Sequence, residues 1–424
     1  MAAISLLIVG AGDRGTTYAS YAGHRPDLVS IAGVADPRKY YRDHLAATHG
    51  VPSERIFADW RDALDRPRFA DAVVIATNDR EHAGPAIAAA EHGYHVLLEK
   101  PMAPDADSCR RITDAMKSSG ILFGVCHPFR YVESTRMLRE LVCNGVIGDL
   151  VNIQHIEPVG YWHQAHSFVR GNWRNEAGSG FMLLTKSCHD IDWLRFMMDV
   201  PCRQVSSFGS LTHFRPENRP EGAADRCLDC AVEHDCPYSA KRIYLEAVRR
   251  GETSWPISVL TPDPTPETVE QALRDGPYGR CVYDCDNDVV DHQVVGLEFA
   301  NGATASFTMT AFTDAGRRMS HLFGTRGHLY CDGTTIDHFD FLTHTRREIP
   351  IAIPEYPVLQ GHDGGDFRVM DGFVRAVISG DASTILSGAD DTLESHLMVF
   401  AAERARREGR VVSVGDDAVT SRDE

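Results

Sequence analysis

Through its first 130 residues the chain alternates two apolar patterns. Continuous apolar runs at ISLLIVG (4–10), LVSIAGVAD (28–36), DAVVIAT (71–77), YHVLLEK (94–100) and ILFGVCH (121–127) read as strands buried on both faces. Between them, EHAGPAIAAAEHG (81–93) and PDADSCRRITDAMKSSG (104–120) carry helical apolar spacing and close on glycine. Strands alternating with helices predict βαβ units and a parallel sheet over residues 1–128. After Tyr131 the period changes. VESTRMLRELVCNG (132–145) reads as a helix, whereas LVNIQHIEP (150–158), QVSSFGSLTHF (204–214), VVDHQVVGLEFA (289–300), GATASFTMTA (302–311) and GHLYCDG (327–333) alternate apolar and polar residues. That alternation predicts antiparallel strands with one solvated face, and Asn301-Gly302 between two such runs is a hairpin signal. DTLESHLMVFAAERARREG (391–409) reads as a closing helix with cations in its last turn. A length of 424 residues suits this division into two domains, the second spanning 129–424 with a Cys-rich insertion at 215–290.

The first turn of the parallel region is Gly10-Ala11-Gly12-Asp13-Arg14-Gly15, a G-x-G-x-x-G that follows a strand and opens a helix. Asp36 ends the next strand 21 residues past Gly15. This is the context of a dinucleotide-binding Rossmann turn: Gly10 for the tight turn, Gly12 for close approach of the pyrophosphate, Gly15 for helix packing. Asp36 suits the ribose hydroxyls of NAD and repels a 2′-phosphate. Arg38, two residues on, either meets such a phosphate or is a solvated residue at a helix start. NAD is the expected cofactor.

Charge and leader patterns narrow the partners. With 43 Lys and Arg against 60 Asp and Glu, the formal charge is −17, which excludes nucleic acid as the natural partner. No apolar run approaches the roughly 20 residues of a membrane span, and the N-terminus opens directly into a strand. A cytoplasmic protein with no membrane partner is expected.

YHVLLEKPM (94–102) poses a sharper question, because an apolar strand ends in Glu99, Lys100 and Pro101. Strand C-termini in such sheets are where ligands bind. GAGDRG (10–15), ATNDREH (76–82), EKP (99–101) and CHPFRY (126–131) together resemble the Gfo/Idh/MocA oxidoreductases over essentially the whole chain. The resemblance implies an open, mostly antiparallel α+β sheet behind the Rossmann domain, with the active site between them. It implies that Lys100 hydrogen-bonds the reacting hydroxyl beside the nicotinamide, that a cis peptide precedes Pro101, and that Glu99 lines the cleft. Asp13 and Arg14 fall within the cofactor turn, and Thr77, Asn78 and His82 match the family's dinucleotide-lining loop. His127 either reaches the cofactor or is a packed residue at the domain border. Family members often assemble through the open sheet, so a homodimer or homotetramer is expected.

GSGFMLLTKSCHDIDWLRF (178–196) matches the family's catalytic segment, in which an Asp and a His stand four residues apart. His189 matches and implies a general base, but Thr185 stands where the carboxylate is usual, followed by Lys186. Lys186 either supplies the second proton-transfer group, binds an anionic substituent, or points away. Upstream, His163, His166, Arg170, Trp173 and Arg174 make a dense cationic and aromatic segment suited to a sugar or an anion. Cys227-x2-Cys230-x5-Cys236, with Cys281 and Cys285, has ligand spacing for a structural zinc, the fourth ligand being either of the last two; buried unligated cysteines are the alternative. The leading expectation is an NAD-dependent enzyme moving hydride between nicotinamide and a secondary hydroxyl of a sugar or cyclitol. The alternative is a redox-neutral glycoside hydrolase acting on an anionic sugar such as a sulfoquinovoside or uronide by transient oxidation, elimination, hydration and re-reduction.

Overall fold

The computed structural model describes residues 3–352 and 361–415, so the outer ends of both domain ranges lie outside it. Six parallel strands, β1 (Ile4–Val9), β2 (Val29–Ala35), β3 (Ile56–Phe57), β4 (Ala72–Ile75), β5 (His95–Leu98) and β6 (Phe123–Val125), lie in the order 3-2-1-4-5-6. The apolar runs are continuous because helices cover both faces. Leu6, Ile8, Val74 and Leu97 enter one core, and Leu7, Val9, Val73, Val96 and Leu98 enter the other. The order reverses between β1 and β4, and the strand tips there open the crevice in which such folds bind ligands.

One layer of the first core comes from far along the chain. Helix Gly365–Ser379 contributes Val369, Met370, Phe373 and Val374 to it. Tyr21 donates to Asp371 at 2.8 Å on the same face. The expectation of a closing helix is met at Ala389–Glu408, which ends at Gly409 with φ +65°.

The second sheet has nine strands in the order 14-13-12-11-7-10-9-8-15. They are β7 (Leu150–Pro158), β8 (Cys202–Ser210), β9 (His292–Phe299), β10 (Thr304–Thr310), β11 (Met319–Gly324), β12 (Gly327–Cys331), β13 (Thr335–Asp340), β14 (Thr345–Pro350) and β15 (Val412–Ser413). All neighbours are antiparallel except β7 and β10, so the sheet is mixed but mostly antiparallel. The Asn301-Gly302 turn joins β9 to β10, with Gly302 at φ +84° and the Asn301 side chain accepting from the Ala303 amide at 3.0 Å. Between β8 and β9 the insertion builds its own small core from Tyr244, Leu245, Val248, Ile257, Val269 and Leu273. A buried Arg130–Asp192 pair, with both contacts at 2.7 Å, ties the turn after β6 to helix Cys188–Met198. Among the described residues no helix is long and apolar enough to cross a membrane.

Candidate active site

The turn after β1 is tight because backbone crowds it from both sides. Gly10 has φ +93°, and a Cβ there would lie 2.4 Å from the Ala76 carbonyl oxygen. A Cβ on Gly15 would lie 1.8 Å from the Gly10 carbonyl oxygen. Gly12 leads into helix Asp13–His24, whose exposed N-terminus favours an anion. At the tip of β2, buried Asp36 accepts from the Ala11 amide at 2.7 Å and the Arg38 amide at 2.8 Å. It also pairs with the Arg38 guanidinium at 2.8 Å. Burial pushes this carboxyl up, but the bonds from Arg38 and Ala11 outweigh it and hold the pKa below the ordinary value. Arg38 lies over the Tyr41 ring at 4.3 Å, beside Gly12. A glycine turn at a helix N-terminus with an anchored carboxylate fits a dinucleotide.

The remaining cofactor candidates divide. Asp13 is exposed at the helix start, and Asn78 precedes a short turn at Asp79–Glu81. Thr77 Oγ1 is buried with no hydrogen-bond partner in the structure, as a ligand-facing hydroxyl would be. Arg14 turns away from the turn itself. It pairs with Glu99 at 2.5 Å and Asp366 at 2.6 Å, while Tyr18 donates to Glu99 at 2.8 Å. Burial pushes the Glu99 carboxyl up, yet Arg14 and then Lys100 hold it below its ordinary value. Glu99 is thus an anchored anion at the strand tip. His82 is fully buried and bonds the Pro101 and Thr77 carbonyls at 2.7 and 3.2 Å, tying two cleft loops together. His127 is buried 3.8 Å from Asp192, with its ring 5.8 Å from that of His396. Burial pushes its pKa down to about 3.

At the other end of the cleft, the Lys100–Pro101 peptide is cis and Lys100 Nζ donates to the Thr185 carbonyl at 2.8 Å. His189 lies on the adjoining helix Cys188–Met198, its ring 4.7 Å from that of Phe129. Lys186 does not stand free: it pairs with buried Glu157 at 3.0 Å. Burial pushes the Lys186 ammonium down, and Glu157 only partly offsets this. Arg318 completes the group. It reaches Glu157 at 2.7 Å, Asp190 at 2.7 Å and His189 Nε2 at 3.2 Å, and lies 3.8 Å over the Phe129 ring. His155 braces Asp190 from behind at 3.2 Å.

The contact to His189 fixes its chemistry. A guanidinium only donates, so Nε2 must be the acceptor, and the neutral ring carries its proton on Nδ1. Burial first, then Lys100 and Arg318, hold the His189 pKa well below its ordinary value. Nδ1 is buried with no hydrogen-bond partner in the structure. In this arrangement the His189 imidazole is held neutral, with Nδ1–H as its donor.

Glu157, Asp190 and Arg318 were absent from the sequence expectations. One signal lay in LVNIQHIEP: His155 and Glu157 share the inward parity of Ile153 on β7. Ionisable residues on the core face of a strand demand partners. Arg318 carried no such signal.

The upstream segment splits in two. His163 lies on the cleft side, its pKa held well below ordinary by burial and then by Lys186. Trp173 donates to Asp79 at 3.0 Å across the cleft. His166 and Arg170 face the insertion instead. His166 stacks on Tyr278 at 4.9 Å and bonds Tyr244 at 2.9 Å. Arg170, fully buried, donates to the carbonyls of Arg280 and Tyr238 and to Cys227 Sγ at 3.4 Å. Arg174 pairs with Asp286 at 2.8 Å. All three side chains are taken up in docking the insertion.

The structural-zinc expectation is not supported. Cys227, Cys230, Cys236 and Cys281 do line one cavity, and Cys285 donates to the Cys281 carbonyl at 3.2 Å. Yet among the described residues no group of three or more His, Cys, Asp or Glu is arranged to hold a metal ion. Arg170 lines the same cavity and sets a fixed positive charge against the thiols. Burial pushes Cys236 and Cys281 up and Cys285 to about 11, and the Arg170 guanidinium partly offsets this.

Comparison with known proteins agrees with this geometry. Residues 4–127 match the NAD-binding Rossmann domain of the Gfo/Idh/MocA oxidoreductase family, and residues 139–414 match its C-terminal alpha/beta domain. The oxidoreductase YteT of Bacillus subtilis is 25% identical over 72% of this chain and 72% of its own. The 2,7-anhydro-N-acetylneuraminate hydratase of Escherichia coli is 27% identical over 37% of this chain and 41% of its own length. A levoglucosan dehydrogenase solved with NADH and L-sorbose shares the fold, with a TM-score of 0.71 at 19% identity over 98% of this chain and 99% of that one. With both of its domains matched, the chain belongs to the Gfo/Idh/MocA family of NAD-binding oxidoreductases.

Proposed function

We propose that the protein moves hydride between nicotinamide and a secondary hydroxyl of a carbohydrate, with Lys100 as the proton-transfer group and His189 as a neutral donor to the same oxygen. The nicotinamide, when bound, accepts or returns the hydride. The observation that carries this reading is the Arg318–His189 contact at 3.2 Å, which leaves Nδ1–H as the ring's donor beside Lys100. A neutral imidazole would have to become imidazolate to give up that proton, so proton transfer falls to the lysine. His189 instead stabilises charge developing on the oxygen, as neutral histidines can. Asp36 and the glycine turn hold the dinucleotide away from this chemistry, and NAD is favoured because Asp36 would meet a 2′-phosphate with like charge.

A second reading keeps these residues but closes the redox cycle on the enzyme, with elimination of a glycosidic substituent and addition of water across the double bond it leaves, between oxidation and re-reduction. The hydratase relative supports it, since its name describes chemistry with no net oxidation. An anionic substituent on such a sugar would have to share Lys186 with Glu157.

The test is Lys100→Ala, assayed with neutral and anionic sugars and their glycosides by NADH absorbance and aglycone release together. Turnover should fall roughly 100- to 10,000-fold while NAD affinity holds. His189→Gln, which keeps a donor, should lose less. Unchanged turnover in Lys100→Ala would overturn the assignment. Aglycone release without NADH accumulation would select the second reading.

A further inference from the structure

Three tryptophans border the cleft and belong to none of the hydrophobic cores formed among the described residues. Trp162 starts the turn after β7, Trp173 follows it, and Trp255 arrives from the insertion. Trp162, Trp255 and His163 form one wall of rings, which the buried Phe168 ring links to Trp173. Trp255 lies 5.5 Å from Trp162 and 5.0 Å from His163, His163 lies 5.9 Å from Phe168, and Phe168 lies 6.2 Å from Trp173. The wall ends where the Trp173 indole donates to Asp79, on the loop that also carries His82. Trp173 and Trp255 each keep 36% of their surface exposed.

Indoles left part-exposed side by side need an explanation. An aromatic side chain buries 150–250 Å² when packed, as a rough scale, so leaving several uncovered sacrifices stabilisation that a core would supply. Partly exposed aromatic patches beside a polar site are typical of ligand surfaces. The chemistry of this one is specific. The Asp79 carboxylate is engaged by the Trp173 indole, and burial followed by Lys186 holds the His163 pKa well below its ordinary value. Such a surface suits a ring with an apolar C–H face and a hydroxylated rim. That describes a pyranose.

We propose that Trp162, Trp255 and Trp173 form a second carbohydrate subsite, taking the sugar ring joined to the one that bears the reacting hydroxyl. The placement of the first ring at Lys100 rests on the function proposed above. The substrate class that follows is a glycoside of at least two rings, with the insertion acting as a specificity element through Trp255. His163 links the two subsites, since it contacts Trp255 and is influenced by Lys186 and Lys100.

The test is a binding measurement on the NAD-loaded protein, so it needs no turnover. Cellobiose, maltose, gentiobiose, lactose and trehalose are titrated beside glucose and galactose by calorimetry, with tryptophan fluorescence as a second readout. At least one disaccharide should bind about tenfold or more tightly than its monosaccharides. Trp255→Leu and Trp162→Leu should each weaken that disaccharide roughly 3- to 10-fold while sparing the monosaccharide, and Trp255→Phe should recover most of the loss. Equal affinity for one and two rings would overturn the proposal. So would equal losses for both ligands in the leucine variants, which would mark the wall as a structural hinge. Should Trp255→Leu fail to fold, Trp162→Leu and Trp255→Phe carry the same comparison. Failure of the Lys100→Ala test would leave this result standing, because no step of it depends on the reaction.

Discussion

Lowering the pH from 7.5 to 5 should remove about 6 kcal/mol of stability through three buried histidines alone. Burial pushes His127 and His166 down to about 3 and His396 to about 4, against 6.5 for an ordinary imidazole. The His396 bonds agree with neutrality: Nε2 accepts from the Met102 amide at 2.9 Å, so Nδ1 is the donor to the Thr392 carbonyl at 2.9 Å. The sign follows from the depressed folded values. Above pH 6.5 both states are neutral and nothing is lost. Below it the unfolded chain takes up protons that the folded chain refuses, so stability falls until the folded values near 3 to 4 are reached. Each group gives up about 1.4 kcal/mol per pH unit, hence about 2 kcal/mol each at pH 5 and about 4 kcal/mol per unit for the three. Asp192, held to about 2 by Arg130 despite its burial, contributes only at more acidic pH. Urea unfolding at pH 7.5, 6 and 5 reads the slope, and His396→Gln should flatten it by about one proton. A stability independent of pH between 6.5 and 5 would refute the reasoning. So would an unchanged slope in the variant. The acid limb of activity should accordingly track unfolding rather than protonation of His189.

Glu157→Gln should lower stability by about 3–5 kcal/mol in denaturant melts, because Lys186 and Arg318 would keep only Asp190 between them. Arg318→Met should release the His189 tautomer: nitrogen NMR should find the proton on Nδ1 in the parent and a mixture in the variant, and Nε2–H in the parent would contradict the assignment. Asp36→Ala should narrow the preference for NAD over NADP in titrations, whereas equal parent affinities would remove the basis for reading Asp36 as the selector.

What the sequence disclosed was local. The apolar runs became β1, β2, β4, β5 and β6 because a strand buried on both faces has no polar positions to spare, and the glycine turn sits where Ala76 leaves no room for a side chain. Lys100 and His189 were singled out through short motifs at element ends. Glu157 and Arg318 were not, since their pairing spans 161 positions and exists only once β7 and the β10–β11 connection lie side by side. The partners of Arg170 and His166 were hidden for a related reason. A basic residue in a cleft segment reads as a ligand contact, but here backbone carbonyls and tyrosines of the insertion lie behind the segment and absorb it. The helix at Gly365–Ser379 went unread because it belongs, by packing, to a domain that appeared complete by residue 128.

That helix has a consequence for synthesis. Arg14, in the first turn of the dinucleotide site, finds Asp366 only 352 residues later. At roughly 5–20 residues per second the ribosome leaves that partner unmade for tens of seconds. During that interval Tyr18, Tyr21, Ile31 and Val34 form an apolar face still awaiting Val369, Met370 and Phe373. The nascent cofactor domain therefore emerges first and matures last, and any chain terminated before residue 365 leaves it open on the side that chaperones recognise.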